Sequence, residues 1–575
     1  MTNIRTNRGW ATAIVAATLM TLAASVPAWC QSNPVPFISQ PLVPDAVPPG
    51  GGAFTLTVNG TGFVPGAVVN WNGVPLATTF ATSSLLTATV PPSDIATAGT
   101  ASITVANPGG IVSSPAALPV INAVSDVAFG LTTKLNAGSE PQGVAVADLN
   151  GDGKLDAVIC YSGDSVVAVL LGNGDGTFQP QVEYAAGAYP AGVLAVDMNG
   201  DGKLDLVVTS GEGVSVMLGN GDGSFQSPRT VPFASYEYAM AAADFNSDGN
   251  LDIVVVAYPN LVGVFLGNGD GTVQSPIEFT VGNNVESVAA GDFDGDGKLD
   301  LAIGDREGPG GRYGAVDVVL GNGDGTFQGF VAYGTPQQTF QVAVADFNGD
   351  GKLDLAAAAS STVSILIGNG DGTFQSSVNY SVPSSLCSEV AAQDMNGDGK
   401  VDLIAVGDNA PIFLLLGNGD DTFESPNSYT VSGPYYSGAV AIGDFNGDGR
   451  LDIFTDNYDP AAAYLLLQSN SVLSPTYIDF GTVAAGRSSP PVKVTLKNTG
   501  TAPFKVGTVA FNGKGKYDFT ETDNCLGTVI PAGGHCTLNI SFAPPYAGEV
   551  STTLVVRDSE NQSGQIVTLQ GLALP

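Results

Sequence analysis

The sequence predicts an all-β chain: a central array of seven equivalent units set between two small antiparallel sandwiches. Three observations carry this. A nine-residue acidic loop occurs seven times, starting at Asp148, Asp197, Asp244, Asp292, Asp346, Asp394 and Asp444, with spacings of 49, 47, 48, 54, 48 and 50 residues. Near-identical units at a fixed period mark a repeat architecture. The stretches on either side of the array alternate short β-rich runs with Pro/Gly turns and show no helical period.

Each loop offers oxygen-bearing side chains at positions 1, 3, 5 and 9, with Gly at position 6. Alternate positions of a tight turn aim their oxygens at one centre, and glycine permits the reversal. Clustered carboxylates repel unless a hard cation sits among them, and an all-oxygen donor set favours Ca²⁺ over a transition metal. The loops are not EF-hands: position 12, which would carry a bidentate Glu, is Ile159 in the first copy and Val208 in the second. A ninth-position Asp closes each loop instead, together with the carbonyl of position 7. The candidate ligands are therefore Asp148, Asn150, Asp152, Lys154 and Asp156 in the first loop, and Asp197, Asn199, Asp201, Lys203 and Asp205 in the second. The third offers Asp244, Asn246, Asp248, Asn250 and Asp252; the fourth, Asp292, Asp294, Asp296, Lys298 and Asp300. The fifth offers Asp346, Asn348, Asp350, Lys352 and Asp354; the sixth, Asp394, Asn396, Asp398, Lys400 and Asp402; the seventh, Asp444, Asn446, Asp448, Arg450 and Asp452.

These loops, with the partner string Leu171-Gly172-Asn173-Gly174-Asp175-Gly176-Thr177-Phe178 that recurs at Leu218, Leu266, Leu320, Ile367 and Leu416, resemble the FG-GAP/VCBS repeats of integrin α-subunits and many secreted bacterial proteins. The resemblance covers about residues 124–470. It implies a seven-bladed β-propeller with about seven Ca²⁺, one in the loop joining the first two strands of each blade.

Of the 575 residues 54 are acidic and 19 basic, for a net charge of −35. The loops hold 22 of those acids, so the charge is largely a metal-site signature; seven Ca²⁺ would reduce it to −21. Nucleic acid and anionic membranes are not the partners expected on this charge. Arg5 and Arg8 precede an apolar run from Trp10 to Ala28, and Val26-Pro27-Ala28 offers a cleavage site, so residues 1–28 are expected to be a secretory signal. Cys30 raises lipidation, against which Trp29 stands where a small residue is wanted. No later stretch is long and apolar enough to span a bilayer. The expected location is secreted or cell surface. Cys525 and Cys536 flank a Pro/Gly turn and are expected to bond; Cys160 and Cys387 belong to non-adjacent units and are expected to be free thiols.

Residues 29–121 are expected to form the first sandwich, with strands around Phe54–Val58, Ala67–Trp71, Leu85–Val90 and Ala101–Val105 and with Trp71 in its core. Asn59-Gly60-Thr61-Gly62-Phe63 and Ala106-Asn107-Pro108-Gly109-Gly110 resemble IPT/TIG domains, which are Ig-like. Each repeat over 124–470 reads as four strands, in the first copy Gly143–Ala147, Asp156–Cys160, Val166–Leu171 and Phe178–Tyr184. The seventh copy lacks the Gly-Asn-Gly-Asp-Gly-Thr-Phe string and hence a fourth strand. Val127 to Gly138 aligns with Thr177 to Gly187, so the N-terminal strand is expected to complete the last blade and close the ring. Residues 474–575 carry no acidic loop; Ile478–Val483, Val492–Gly500 and Cys536–Phe542 resemble the Ig-like ASH or choice-of-anchor domains.

Alternating strand direction puts the acidic loops and the Asp-Gly turns on one rim. The other connections fall on the opposite rim, where nine of the seventeen tyrosines gather: Tyr161, Tyr189, Tyr236, Tyr238, Tyr258, Tyr313, Tyr435, Tyr436 and Tyr458, with Phe340. The fourth repeat has the longest such connection, Asp305 to Tyr313, with Arg306 and Arg312. Exposed Tyr and Arg compose recognition surfaces, so Tyr236, Tyr238, Arg306, Arg312, Tyr313, Tyr435 and Tyr436 are the candidate ligand contacts. Local packing at the blade ends is the competing reading of the tyrosines. The expected function is adhesion or recognition of a glycan or protein ligand by an extracellular protein whose blade loops Ca²⁺ stabilises. The alternatives are a carbohydrate-active enzyme (a polysaccharide lyase or hydrolase) and a structural cell-envelope spacer. The sole histidine, His535, lies outside the array, which leaves no Ser-His-Asp triad or zinc cluster there; the chain is expected not to be an enzyme.

Overall fold

The computed structural model describes residues 36–575 except 39–41, 98, 110–111, 114, 122, 125–126, 128, 130–132, 235–236, 309–310, 312, 385, 408–410, 431–434, 460, 476, 499–502, 532 and 560–564. The expected signal segment and Cys30 lie outside the described residues.

The N-terminal domain packs two four-stranded sheets face to face. One orders Phe37–Ile38, Phe54–Thr61, Leu85–Val90 and Ala77–Phe80; the other Val74–Pro75, Val68–Trp71, Gly99–Ala106 and Ala116–Val120. Side chains alternate between faces along a strand, so Leu56, Val58, Leu86, Ala88, Val69, Trp71, Ile103 and Val105 all reach one core. Trp71 is buried there, as expected.

Seven four-stranded antiparallel sheets follow. Blade one comprises Pro141–Ala147, Asp156–Tyr161, Val166–Leu170 and Val182–Ala185. Second strands such as Asp205–Ser210 and Asp252–Ala257 are buried at every position. Each blade is covered on both faces, so these strands read as continuous apolar runs rather than alternating ones. Between blades one and two, Val158, Val167 and Val169 pack on Leu204, Leu206 and Val208. Equivalent cores fill every later junction, and between seven and one Phe454, Ala463 and Leu465 meet Ala157, Ile159 and Ala168. The ring is closed. Its last sheet is completed as the repeat alignment requires: Thr133–Asn136 pairs with Ala462–Leu466, Leu135 opposite Ala463. A closed ring leaves no open edge between its first and last repeats.

Two expectations are corrected in the blades. The fourth strand of blade one starts at Val182, not Phe178, and Phe178 makes only a single bridge to Gly172. The Asp-Gly turn is a self-contained loop: Asn173 N–H donates to the Thr177 carbonyl, and the Asp175 carboxylate accepts both the Thr177 hydroxyl and N–H. Phe178 is thereby freed to pack edge-on against Phe445 and Phe454 of blade seven. The same link recurs as Phe245–Phe327, Phe293–Phe374 and Phe347–Phe423, each joining the acidic loop of one blade to the turn of the next. Tyr161, expected on the rim, is fully buried, its hydroxyl donating to Gln181 at 3.1 Å.

The C-terminal domain begins at Ser471–Ser474, three residues earlier than the sequence suggested, because that strand pairs with Val492–Asn498. Its sheets order Ser471–Ser474, Val492–Asn498, His535–Phe542 and Phe519–Asp523 against Tyr477–Ala484, Gln565–Leu574, Gly548–Asp558, Phe504–Asn512 and Val529–Ile530. Cys525 and Cys536 form the expected disulfide, while Cys160 and Cys387 are buried free thiols.

Candidate metal loops and recognition rim

The first acidic loop is wound around its own carboxylates. Asp148 Oδ1 accepts the N–H groups of Gly151 and Asp152, and its Oδ2 that of Gly153, at 2.8–3.1 Å. Asn150 accepts the Asp152 N–H, and Asp152 that of Lys154. Gly151 and Gly153 take φ of +73° and +80°, where a side chain would be strained. The third loop makes the same turn with Ser247 at φ +58°.

The ninth-position aspartate does more than close the loop. Asp156 is fully buried; its Oδ2 accepts the N–H of Leu149, and its Oδ1 accepts that of Gly172 in the Asp-Gly turn, at 3.0 and 2.7 Å. Asp205, Asp252, Asp300, Asp354, Asp402 and Asp452 repeat both bonds, the last onto Gln468. One carboxylate thus bolts the acidic loop to the turn beside it. The turn glycine makes this approach possible: a Cβ on Gly172 would lie 2.1 Å from the Leu155 carbonyl oxygen. Sequence reasoning missed this second role, although the invariance of that glycine across the six copies of the turn was its signal.

Burial, then the nearby carboxylates, pushes these groups up when no ion is present. Asp156 and Asp205 rise to about 6, Asp300 and Asp354 to about 7, and Asp252 to about 8. Asp402 and Asp452 rise well above the ordinary carboxylate range. Partial neutralisation by the position-7 lysines is weak: Lys154, Lys203, Lys298, Lys352 and Lys400 reach the position-5 aspartates at 2.6–3.9 Å but are largely exposed.

The donor set fits a hard cation. In the fourth loop Asp292, Asp294 and Asp300 each offer an oxygen, and all three lie within 4.8 Å of one another. Oxygens bound to one Ca²⁺ at about 2.3–2.6 Å span a similar range. Among the described residues this is the one cluster of three carboxylates so placed. The other loops carry Asn at position 3, whose amide oxygen is a neutral donor.

The N-terminal domain touches the acidic-loop rim. Ser84 donates to Asp292 Oδ2 at 3.1 Å and Thr100 to Asp444 Oδ2 at 2.7 Å. Asp45, buried, accepts the Asp394 N–H at 2.5 Å and the Gln393 side-chain amide at 2.6 Å. A cavity of about 370 Å³ remains beside these contacts, bordered by Thr57, Asn59, Asp292 and Asp346. Both chain connections also meet this rim. Thr133–Asn136 is a fourth strand and so starts there, and Ala462–Leu466 is a third strand and so ends there.

The opposite rim carries Tyr189, Tyr258 and Tyr313, 70%, 51% and 63% exposed. Arg306, a candidate ligand contact, is engaged within the fold. Its Nη1 pairs with Glu286 at 2.6 Å, and its guanidinium lies 4.8 Å over the Phe340 ring. Tyr236 and Arg312 lie outside the described residues. Tyr238 falls in Glu237–Ala243, and Tyr435 and Tyr436 in Tyr435–Gly443; the side chains of these three lie outside the described ones.

A closed ring of acidic-loop blades between two Ig-like domains defines the class. The FG-GAP-like repeat model matches residues 148–208, 197–255, 244–303, 310–357, 346–405 and 394–455, more than half of the chain. The chain belongs to the FG-GAP-like repeat family. The IPT/TIG domain model matches residues 38–119, and the HYDIN/CFA65/VesB-like Ig-like domain model residues 472–572. No curated protein matches the chain significantly. Similar solved structures include an Agrocybe aegerita lectin that recognises non-reducing terminal N-acetylglucosamine, 20% identical, covering 68% of this chain and 100% of that one, with a TM-score of 0.39. Another is BBS1N in complex with ARL6DN, 13% identical, covering 59% and 97%, with a TM-score of 0.43. The human CEP192 ASH/PapD-like domain is 15% identical, covering 18% and 86%, with a TM-score of 0.15.

Proposed function

We propose that the protein is an extracellular, non-catalytic recognition module. Its acidic loops hold Ca²⁺ to stiffen the ring, and its tyrosine-bearing rim binds a glycan or protein ligand. The observation that carries this is the division of the two rims. The N-terminal domain and both chain connections engage the acidic-loop side. The opposite side presents exposed tyrosines whose rings combine apolar area with a polar tip, a composition suited to sugars and proteins alike. The Cys525–Cys536 disulfide is in keeping with an oxidising compartment. Among the described residues no helix is long and apolar enough to cross a membrane.

The test is a glycan and matrix-protein array probed with the intact protein, followed by a Tyr189→Ala/Tyr258→Ala/Tyr313→Ala variant. Loss of at least tenfold in affinity for whatever the wild type captures, with an unchanged melting curve, is the expected result. Undiminished capture by the triple variant would move the binding face elsewhere.

A further inference from the structure

Blade four contains a second carboxylate pair that the metal loops do not use. Asp317 lies in the third strand, Ala315–Val319, opposite Ile303. At that register the other six blades carry Ala168, Ser215, Gly263, Ser364, Phe413 and Tyr464. Asp317 is fully buried, and neither of its oxygens receives a hydrogen bond from a described residue. It shares a face with Ile303 and Val319 and so looks into the valine-rich core against blade three. Its one charged neighbour is Asp305, also fully buried. Both carboxylates approach the same glycine: a Cβ built on Gly282 would lie 2.5 Å from Asp317 Oδ2 and 2.6 Å from Asp305 Oδ2.

We propose that Asp317, buried beside Asp305, acts as a pH-sensitive latch for the blade-four sector of the recognition rim. Asp305 accepts the N–H groups of Asn283, Asn284 and Glu307 at 2.9–3.1 Å. Those bonds tie the turn entering blade four to the connection that carries Arg306 and Tyr313. Asn283 adds a 2.6 Å bond to the Glu307 carbonyl. The other charges nearby are spoken for: Arg306 and Glu286 pair with each other, Glu307 contributes its N–H, the neighbouring fourth strand presents Ala332, and blade three presents Val254, Val256, Val262 and Val264. Burial, then Asp305, holds Asp317 protonated up to about pH 7. Ionising it sets two negative charges side by side in an apolar core and loosens the latch.

The latch itself stands on blade four alone; its effect on ligand capture rests on the far-rim reading above. Hydrogen exchange of the Asn283, Asn284 and Glu307 amides, corrected for intrinsic rates and followed from pH 5 to 9, tests the latch separately from any ligand. Native Asp317 binds its proton more tightly than the opened state does. Local opening should therefore rise about tenfold per pH unit between about 5 and 7 and level off above about 8. Asp317→Asn removes the titrating carboxyl and should flatten that rise, whereas Asp305→Asn leaves Asp317 buried and should only move the rise to lower pH. A wild-type profile without the rise, or one that persists in Asp317→Asn, overturns the proposal. So does protection that follows Ca²⁺ concentration at constant pH, which would mark a cation instead of a proton.

Discussion

Asp300→Asn separates the two tasks assigned to the ninth-position aspartate. Asp300 is buried and accepts the N–H groups of Phe293 and Gly321, both at 2.8 Å. An amide can accept only one of these and must turn its own N–H₂ toward the other. One buried N–H is left unpaired, at a cost of about 1–3 kcal/mol whether or not metal is present. If the loop also holds Ca²⁺, the variant loses the linked stabilisation as well, about 2.7 kcal/mol with free ion at 100 times Kd. The total in Ca²⁺ is then about 4–6 kcal/mol. Urea unfolding followed by circular dichroism, in millimolar Ca²⁺ and in chelator, measures both differences, and equilibrium dialysis counts the ions. The expected outcome is a deficit larger by about 2.7 kcal/mol in Ca²⁺ than in chelator, with one fewer ion bound per chain. The same deficit in both buffers, with no calcium on the wild type, would refute the metal assignment. No deficit in chelator would refute the bolt. Asp294→Asn is the control: it restores the residue found at position 3 of the other six loops and should cost little in chelator.

Three further outcomes follow from the same geometry. In chelator, stability should fall as pH rises from about 4 to 8. Asp156, Asp354 and Asp252 are raised to about 6, 7 and 8, above the unfolded value of about 3.9, so the native chain binds more protons across that window. Saturating Ca²⁺ should remove the fall, since its ligands bind deprotonated, and a chelated protein that melts higher at pH 8 than at pH 5 would contradict the burial argument. Asp45→Ala leaves the Asp394 N–H and the Gln393 amide unpaired and should weaken seating of the N-terminal domain by about 1–3 kcal/mol. The readout is a separate early transition for that domain, and a single unchanged transition would show the contact to be dispensable. Ser247→Gly relieves the one non-glycine fourth position of the acidic loops, at φ +58°, and should stabilise the ring by about 1 kcal/mol; a lower melting temperature would mean the serine makes a compensating contact.

Much of the site was legible because its signals are local. Asp148 to Asp156 lie within one turn of chain, so their spacing alone makes their oxygens converge. Ring closure was legible because a strand missing after Leu467 reappears before Asp148. Tyr161 was misread because a strand covered on both faces shows no alternation, so nothing marks its last residue as buried. The pairing of Arg306 was not legible because its partners, Glu286 and Phe340, are 20 and 34 residues away. The bolt from Asp156 to Gly172 spans sixteen residues and shows only when the two turns lie side by side.

The order of residues along the chain determined the all-β class, the sevenfold count, the placement of the acidic side chains in each loop and the strand that seals the ring. These properties depend on period and composition within a single blade. Tertiary structure decided which rim the N-terminal domain engages, which tyrosines face solvent, and that Asp305 and Asp317 are both buried beside Gly282. These depend on side chains from different strands or domains approaching within a few ångströms, and such distances are set only when the blades pack together.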